Sequence, residues 1–181
     1  MQELSLNILD VAQNSVRAGA TLIEISTLES TTDHRLTVTI ADNGCGMTDQ
    51  QVQQVTDPFF TSRTTRKVGL GVPLFKMMSE LTGGSFQITS QVGQGTTVQA
   101  VFCTDSIDCL PLGNMTDTIF SLVTMNCTID FVYRDRLDER VFVFDTREIR
   151  EILGEVPFNT PEIATFLREY LQENSIRIHD N

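Results

Sequence analysis

The run Leu36-Thr37-Val38-Thr39-Ile40 leads directly into Asp42-Asn43-Gly44-Cys45-Gly46-Met47, and no other stretch limits the fold as strongly. Its alternation of apolar and polar residues is that of a strand with one buried face. Gly44 and Gly46 allow positive φ and leave no Cβ between the backbone and whatever approaches it. A carboxylate held at the end of such a strand can accept a hydrogen bond from an exocyclic amine, for example the N6 amine of adenine. The same residues also read as an ordinary Asp-Asn-Gly turn between strands. The neighbouring segments decide between the two.

Upstream, Leu4, Ile8, Val11, Ala12 and Val16 recur at three- and four-residue spacing, which predicts a helix from residue 3 to about 18 with one apolar stripe. Asp10 and Asn14, four apart, share a face away from the centre of that stripe. Facing a cleft, such a pair can hold a hydrated Mg²⁺ and orient a water or hydroxyl nucleophile; the plainer reading is a solvated polar face. Ala18-Gly19-Ala20-Thr21 closes the helix, Leu22 to Leu28 alternates as a strand, and Ser30 to His34 turns into the strand before Asp42.

Downstream, Thr48 and Gln51 form a capping-box pattern that opens a short helix through Val55. The segment Asp57-Pro58-Phe59-Phe60-Thr61-Ser62-Arg63-Thr64-Thr65-Arg66-Lys67 has the length and composition of a lid loop, with Phe59 and Phe60 at its base. Val68-Gly69-Leu70-Gly71-Val72 then opens a helix with Pro73 in its first turn and Leu74, Phe75, Met77, Met78 and Leu81 turned inward. Glycines there expose N–H donors and the positive end of the helix dipole to an anion such as a triphosphate. After Gly83-Gly84, Ser85 to Val92 and Thr96 to Phe102 make a hairpin around Gly93-Gln94-Gly95. Thr96 either shares a water or base edge with Asp42 or is simply a threonine suited to a strand.

Charge and cysteine usage narrow the partners. The net charge of −11 argues against a nucleic-acid backbone as partner, because such binding rests on clustered lysine and arginine. Residues 1–103 hold nine acids against six bases, and residues 104–181 hold fifteen against seven. No apolar run has the length of a membrane helix and no signal-peptide layout is evident, so a cytoplasmic protein is expected. Cys45, Cys103, Cys109 and Cys127 lack CxxC spacing and read as reduced, mostly buried thiols.

These pieces resemble, in order and spacing, the GHKL superfamily, the ATPases of DNA gyrase, heat-shock chaperones, histidine kinases and mismatch-repair proteins. Leu9-Asp10-Val11-Ala12-Gln13-Asn14-Ser15 with Ala18-Gly19-Ala20-Thr21 resembles the mismatch-repair N-box, and Asp42-x-Gly44-x-Gly46 the G1 box. Asp57-Pro58-Phe59-Phe60-Thr61 is similar to the histidine-kinase F-box, Gly69-x-Gly71 to its G2 box, and Gly95-Thr96 to the last glycine-threonine motif. The resemblance spans roughly residues 3–103 and implies an α+β fold of Bergerat type, an α/β sandwich whose mixed, largely antiparallel sheet carries helices on one face. It implies ATP as ligand and Mg²⁺ on Asn14, with Asp10 as a possible base. Adenine would be read by Asp42 and Thr96 beside Gly44, Gly46 and Met47. Phe60 would stand at the base of the lid, with Gly69, Leu70, Gly71, Arg63 and Lys67 around the phosphates. Two positions depart from the pattern: Asp10 stands where many family hydrolases have glutamate, one methylene longer, and Lys67 replaces the first glycine of the kinase Gly-x-Gly-x-Gly.

The division expected is an ATP-binding domain over residues 1–104 and a C-terminal α+β extension over 105–181. In the extension Pro111 to Asn114 reads as a linker turn, and Thr116 to Val123 as a short helix or a strand. Cys127 to Tyr133 and Val141 to Phe144 read as a hairpin turning at Asp135 to Glu139, followed by helices from Thr146 and from Pro161. The second of these carries the stripe Ile163, Phe166, Leu167, Tyr170 and Leu171. The extension either packs on the ATPase sheet or forms a small module for a partner. His34 and His179 are the two histidines, and neither sits in a helical hairpin, so a phosphoryl acceptor would lie on an unidentified protein partner. Two functions follow: hydrolysis of Mg-ATP or transfer of its γ-phosphate, and, as the alternative, a nucleotide-sensing module with negligible turnover. A homodimer is left open.

Overall fold

The computed structural model describes residues 3–59 and 69–180. Helix α1 (Leu4–Arg17) is followed by strands β1 (Leu22–Ser30) and β2 (Arg35–Asp42), helices α2 (Asp49–Thr56) and α3 (Gly71–Leu81), and strands β3 (Ser85–Gln91) and β4 (Gly95–Cys103). Helix α4 (Met115–Met125), strands β5 (Asp130–Leu137) and β6 (Arg140–Asp145), and helices α5 (Thr146–Leu153) and α6 (Pro161–His179) complete the chain. The strands form a six-stranded sheet in the order β3-β4-β2-β1-β5-β6, antiparallel except where β1 pairs with β5 in parallel. This is the mixed, largely antiparallel α+β architecture that the sequence implied.

Alternation does most of the sorting. Ile23 and Ile25 of β1, Leu36, Val38 and Ile40 of β2, and Val98, Ala100 and Phe102 of β4 point to the buried face, while Thr37, Thr39 and Gln99 point away. Leu4, Ile8, Val11 and Ala12 lay the stripe of α1 on that buried face, where α1 touches α3 and α4. Phe75 of α3 meets Phe102 with ring centroids 5.5 Å apart, and each buried aromatic of this kind contributes roughly 1.5–3 kcal/mol of transfer free energy. Helix α1 has no side-chain cap, but its first N–H groups are not left bare. Leu4 and Ser5 donate to the carbonyls of Pro111 and Leu112, at 3.0 and 2.8 Å, so the segment before α4 closes the start of the first helix. The capping box at α2 is present, with Thr48 and Gln51 bonded reciprocally.

Residues beyond Cys103 continue the same sheet. Asp130 to Leu137 run parallel to Leu22 to Glu29, and α4, a helix rather than a strand, packs on both α1 and α6. The hairpin turns later than its composition implied. Asp135 is 2% exposed inside β5, accepting from Thr27 Oγ1 at 3.0 Å and bonded to His179 Nε2 at 2.9 Å, and the turn falls at Asp138 and Glu139. A buried carboxylate persists in a strand only when its oxygens are satisfied, and here two distant residues satisfy them. Burial, reinforced by the nearby Asp135 charge, pushes the Tyr133 hydroxyl well above its ordinary range.

Several helix stripes are narrower than their apolar residues predict. Met77 and Leu81 of α3 and Phe166 of α6 face solvent, while Leu167, Leu171 and Ile178 bury α6. The cysteines are all free thiols, but Cys45 is exposed and the other three are half-buried, so the expected burial of most of them does not occur. Among the described residues no helix is long and apolar enough to cross a membrane.

Two outcomes follow from this packing. Phe131 is 1% exposed in the shared core, so Phe131→Ala is expected to cost about 3–5 kcal/mol. Chemical denaturation of the variant should show one transition shifted as a whole; loss of a C-terminal step alone would contradict the shared core. The second outcome concerns His179. The Asp135 hydrogen bond raises its pKa above the ordinary value near 6.5, burial opposes this, the charges of Asp135 and Glu29 add to it, and Arg140 lowers it. Because the folded value is raised, the stabilisation is complete below about pH 6.5 and is lost as the pH climbs through the folded value. The thermal midpoint of the wild type should therefore fall relative to that of His179→Gln as the pH rises above the ordinary histidine value of 6.5. Parallel pH profiles would remove the pair from the stability balance.

Candidate functional site

The cleft lies where the C-terminal half of α1, the end of β2 and the β3–β4 hairpin meet. Strand β2 runs out at Asp42, and its register against β4 sets Asp42 opposite Thr96. The carboxylate is fixed twice: Oδ2 accepts from Ser15 Oγ at 2.5 Å and Oδ1 from the Gly44 N–H at 2.8 Å. Each oxygen keeps a further lone pair, so the group can still accept from a ligand N–H. Ser15 is 4% exposed, on the buried side of α1 one turn after Val11.

The loop after Asp42 is stapled on both sides. Cys45 N–H donates to Ala18 O at 2.9 Å, Gly93 N–H to Cys45 O at 2.7 Å, and Met47 N–H to Ser90 Oγ at 2.8 Å. Ser90 Oγ also lies 2.8 Å from Thr96 Oγ1. Glycine is required where the backbone passes closest: at Gly46, φ +69°, a Cβ would sit 2.0 Å from Gln91 O, and at Gly95 it would sit 1.9 Å from Asp42 O. Asn43 holds the start of β1, its Oδ1 accepting from the N–H groups of Thr21 and Leu22.

Between these walls is a cavity of about 100 Å³, several times what one water needs. Asn14, Asp42, Gly46, Met47 and Thr96 line it, with Val72, Ile88 and Val98 among the apolar walls. A mostly apolar cavity with one oriented carboxylate in its lining suits a heterocycle bearing an amine. Gly44 is buried beneath Asp42, against Ala18. Asp10 is exposed and does not line the cavity; its Cβ instead lies 3.0 Å from where a Cβ on Gly71 would be. Asn14 Oδ1 accepts from Arg17 Nη1 at 3.2 Å. Gly69 and Leu70 are exposed before α3, and among the described residues no side chain caps the N-terminus of that helix. Phe60, Arg63 and Lys67, with the rest of the expected lid from Thr61 to Lys67, lie outside the described residues.

Ser15 and Ser90 were not singled out from the sequence. Ser15 leaves a signal, a hydroxyl on the apolar stripe of α1; Ser90 leaves none, since a strand serine is ordinary until its partners are known.

Comparison with known proteins identifies the fold and the family. A putative sensor protein of Shewanella frigidimarina is 30% identical over 103 residues, which are 56% of this chain and 16% of that protein. Sporulation kinase B of Bacillus subtilis is 31% identical over 99 residues, 53% of this chain and 22% of the kinase. The chain thus spans about a fifth of the length of these relatives. The Aquifex aeolicus MutL ATPase domain complexed with ADP superposes with a TM-score of 0.52 at 12% identity, covering 93% of this chain and 88% of that one. The N-terminal domain of a DNA repair protein gives 0.57 at 13%, covering 86% and 58%. At such identities the likeness is one of fold. Residues 1–106 match the model of the histidine kinase-, DNA gyrase B- and HSP90-like ATPases, and the chain belongs to that family.

Proposed function

We propose that the chain binds Mg-ATP in the cleft beside Asp42 and hydrolyses it or passes its γ-phosphate to a partner protein. The observation that carries this reading is the convergence of Asp42, Thr96, Asn14, Gly46 and Met47, drawn from three separate segments, on one apolar cavity. Asp42 accepts the adenine amine, held in line by Ser15 and Gly44. The N-terminus of α3 at Leu70 and Gly71, which no side chain caps among the described residues, would face the phosphates.

The donor set fits Mg²⁺ as a nucleotide-borne ion. Among the described residues there is no group of three or more His, Cys, Asp or Glu that could hold a metal. The ion would rest on phosphate oxygens and water with Asn14 Oδ1 as the protein ligand, a coordination usual for Mg²⁺. Bound there it would neutralise charge on the transferring phosphoryl group. Asp10, one helical turn before Asn14, takes the proton from the attacking water or hydroxyl as the new O–P bond forms and the bond from the γ-phosphorus to the bridging oxygen breaks, releasing ADP.

The position of Asp10 also favours a second reading. Its exposure outside the cavity suits a chain that binds nucleotide and senses it with negligible turnover. Two measurements separate these readings. Titration of labelled ATP, with and without Mg²⁺, should show Asp42→Ala weakening affinity about 10- to 100-fold, the worth of a hydrogen bond to a charged group; retained affinity would contradict the adenine assignment. Asp10→Asn should lower turnover about 10²- to 10⁴-fold with binding intact. Equal turnover in the variant would take Asp10 out of the chemistry, and tight binding without wild-type turnover would establish the sensor.

A further inference from the structure

Helix α1 buries Asn7 completely, at 0% exposure, one turn before Asp10 and Val11 and two turns before Asn14. Its Nδ2 donates to the carbonyl of Gly71 at 3.0 Å, across 64 positions of sequence. Only an NH₂ group can face a carbonyl, so the amide has one orientation and Oδ1 points away from that bond. Among the described residues Oδ1 has no hydrogen-bond partner. A buried acceptor left this way forfeits its hydration, a loss that one hydrogen bond on the neighbouring atom does not outweigh. The Gly71 carbonyl, in the first turn of α3, can also accept from within its own helix. An apolar side chain of the size of asparagine would therefore leave the fold at least as stable.

What the bond supplies is position. The start of α3 lies hard against α1: a Cβ at Gly71 would sit 3.0 Å from Asp10 Cβ and 3.4 Å from the Val11 nitrogen. Glycine lets the two backbones meet, but a smooth contact does not fix how far one helix slides along the other. A hydrogen bond does, because it is directional. Gly71 begins the turn whose N–H groups would meet the phosphates, and Asn14 lies roughly 10 Å beyond Asn7 along α1 at 1.5 Å per residue.

We propose that Asn7 is a positioning residue for the phosphate end of the ligand, holding the first turn of α3 in one place on α1 so that its N–H groups and Asn14 keep a constant separation. The inference rests on the reading of the cleft as a nucleotide site and adds to it a residue outside the cavity lining. The amide serves ligand selection and not the net stability of the fold.

The test compares the full chain with Asn7→Leu, close in size but apolar, and with Asn7→Ala, which cannot overfill the site. Calorimetric titration with Mg-ATP and with adenosine should show either variant losing about tenfold in affinity for ATP, the equilibrium worth of one hydrogen bond, with adenosine unchanged. Without nucleotide, the Leu74 N–H, which donates to Leu70 O at 3.0 Å, should exchange faster with solvent in both variants. The thermal midpoint of Asn7→Leu should equal or exceed that of the wild type. Ile8→Val, a packing change at the next buried residue, is the control: its midpoint should fall while its ratio of ATP to adenosine affinity stays. A ratio unchanged in both Asn7 variants, or adenosine weakened as much as ATP, overturns the proposal, and so does a folded Asn7→Leu with a lower midpoint. If leucine does not fold, the alanine ratio decides alone. Failure of the nucleotide reading has a different signature: the wild type then binds neither ATP nor adenosine, and the proposal falls with it.

Discussion

The bond from Ser15 Oγ to Asp42 Oδ2 ties helix to sheet at the point where the cleft opens. A charge-assisted hydrogen bond in a partly buried setting is roughly twice as strong as a neutral one. It fixes which way the carboxylate points, and the Gly44 N–H on the other oxygen removes the remaining rotation. With both contacts in place, Asp42 presents a set of lone pairs in a constant direction before any ligand arrives. Such preorganisation is what allows one side chain to discriminate among ligands, because little ordering remains to be done on binding.

Close backbone approach makes that arrangement possible. Gly46 lies against the carbonyl of Gln91, and Gly95 against that of Asp42 itself, at separations no Cβ could occupy. The loop after β2 and the β3–β4 turn therefore behave as one piece, joined further by Ser90, which contacts Met47, Gly95 and Thr96 through a single hydroxyl. The floor of the cavity is rigid by construction.

Local periodicity made α1, β1, β2 and the β3–β4 hairpin legible from the sequence, because each buries one face and alternation reports that face directly. The register that sets Thr96 beside Asp42 follows from the same logic. Periodicity fails where burial is decided by remote partners. Asp135 reads as a turn residue, yet it is buried because Thr27 and His179, far away in sequence, supply its hydrogen bonds. Met77, Leu81 and Phe166 are apolar and helical, but the width of the stripe that is covered depends on which helices pack nearby, and no local pattern records that. The serine contacts of the cleft were hidden for the same reason: a hydroxyl declares no partner until the fold brings one.

The parallel pairing of β1 with β5 has a consequence for the order in which the molecule can be assembled. Paired residues such as Thr27 and Asp135 are 108 positions apart. On a ribosome adding about 5–20 residues per second, β1 waits roughly 5 to 20 seconds for its neighbour. During that interval α1, β2 and β4 can already assemble around it, leaving one side of the nascent sheet bare. That interval is when the growing polypeptide is most open to chaperones and to mispairing, and it ends only once β5 has been made, about three quarters of the way along the 181 residues.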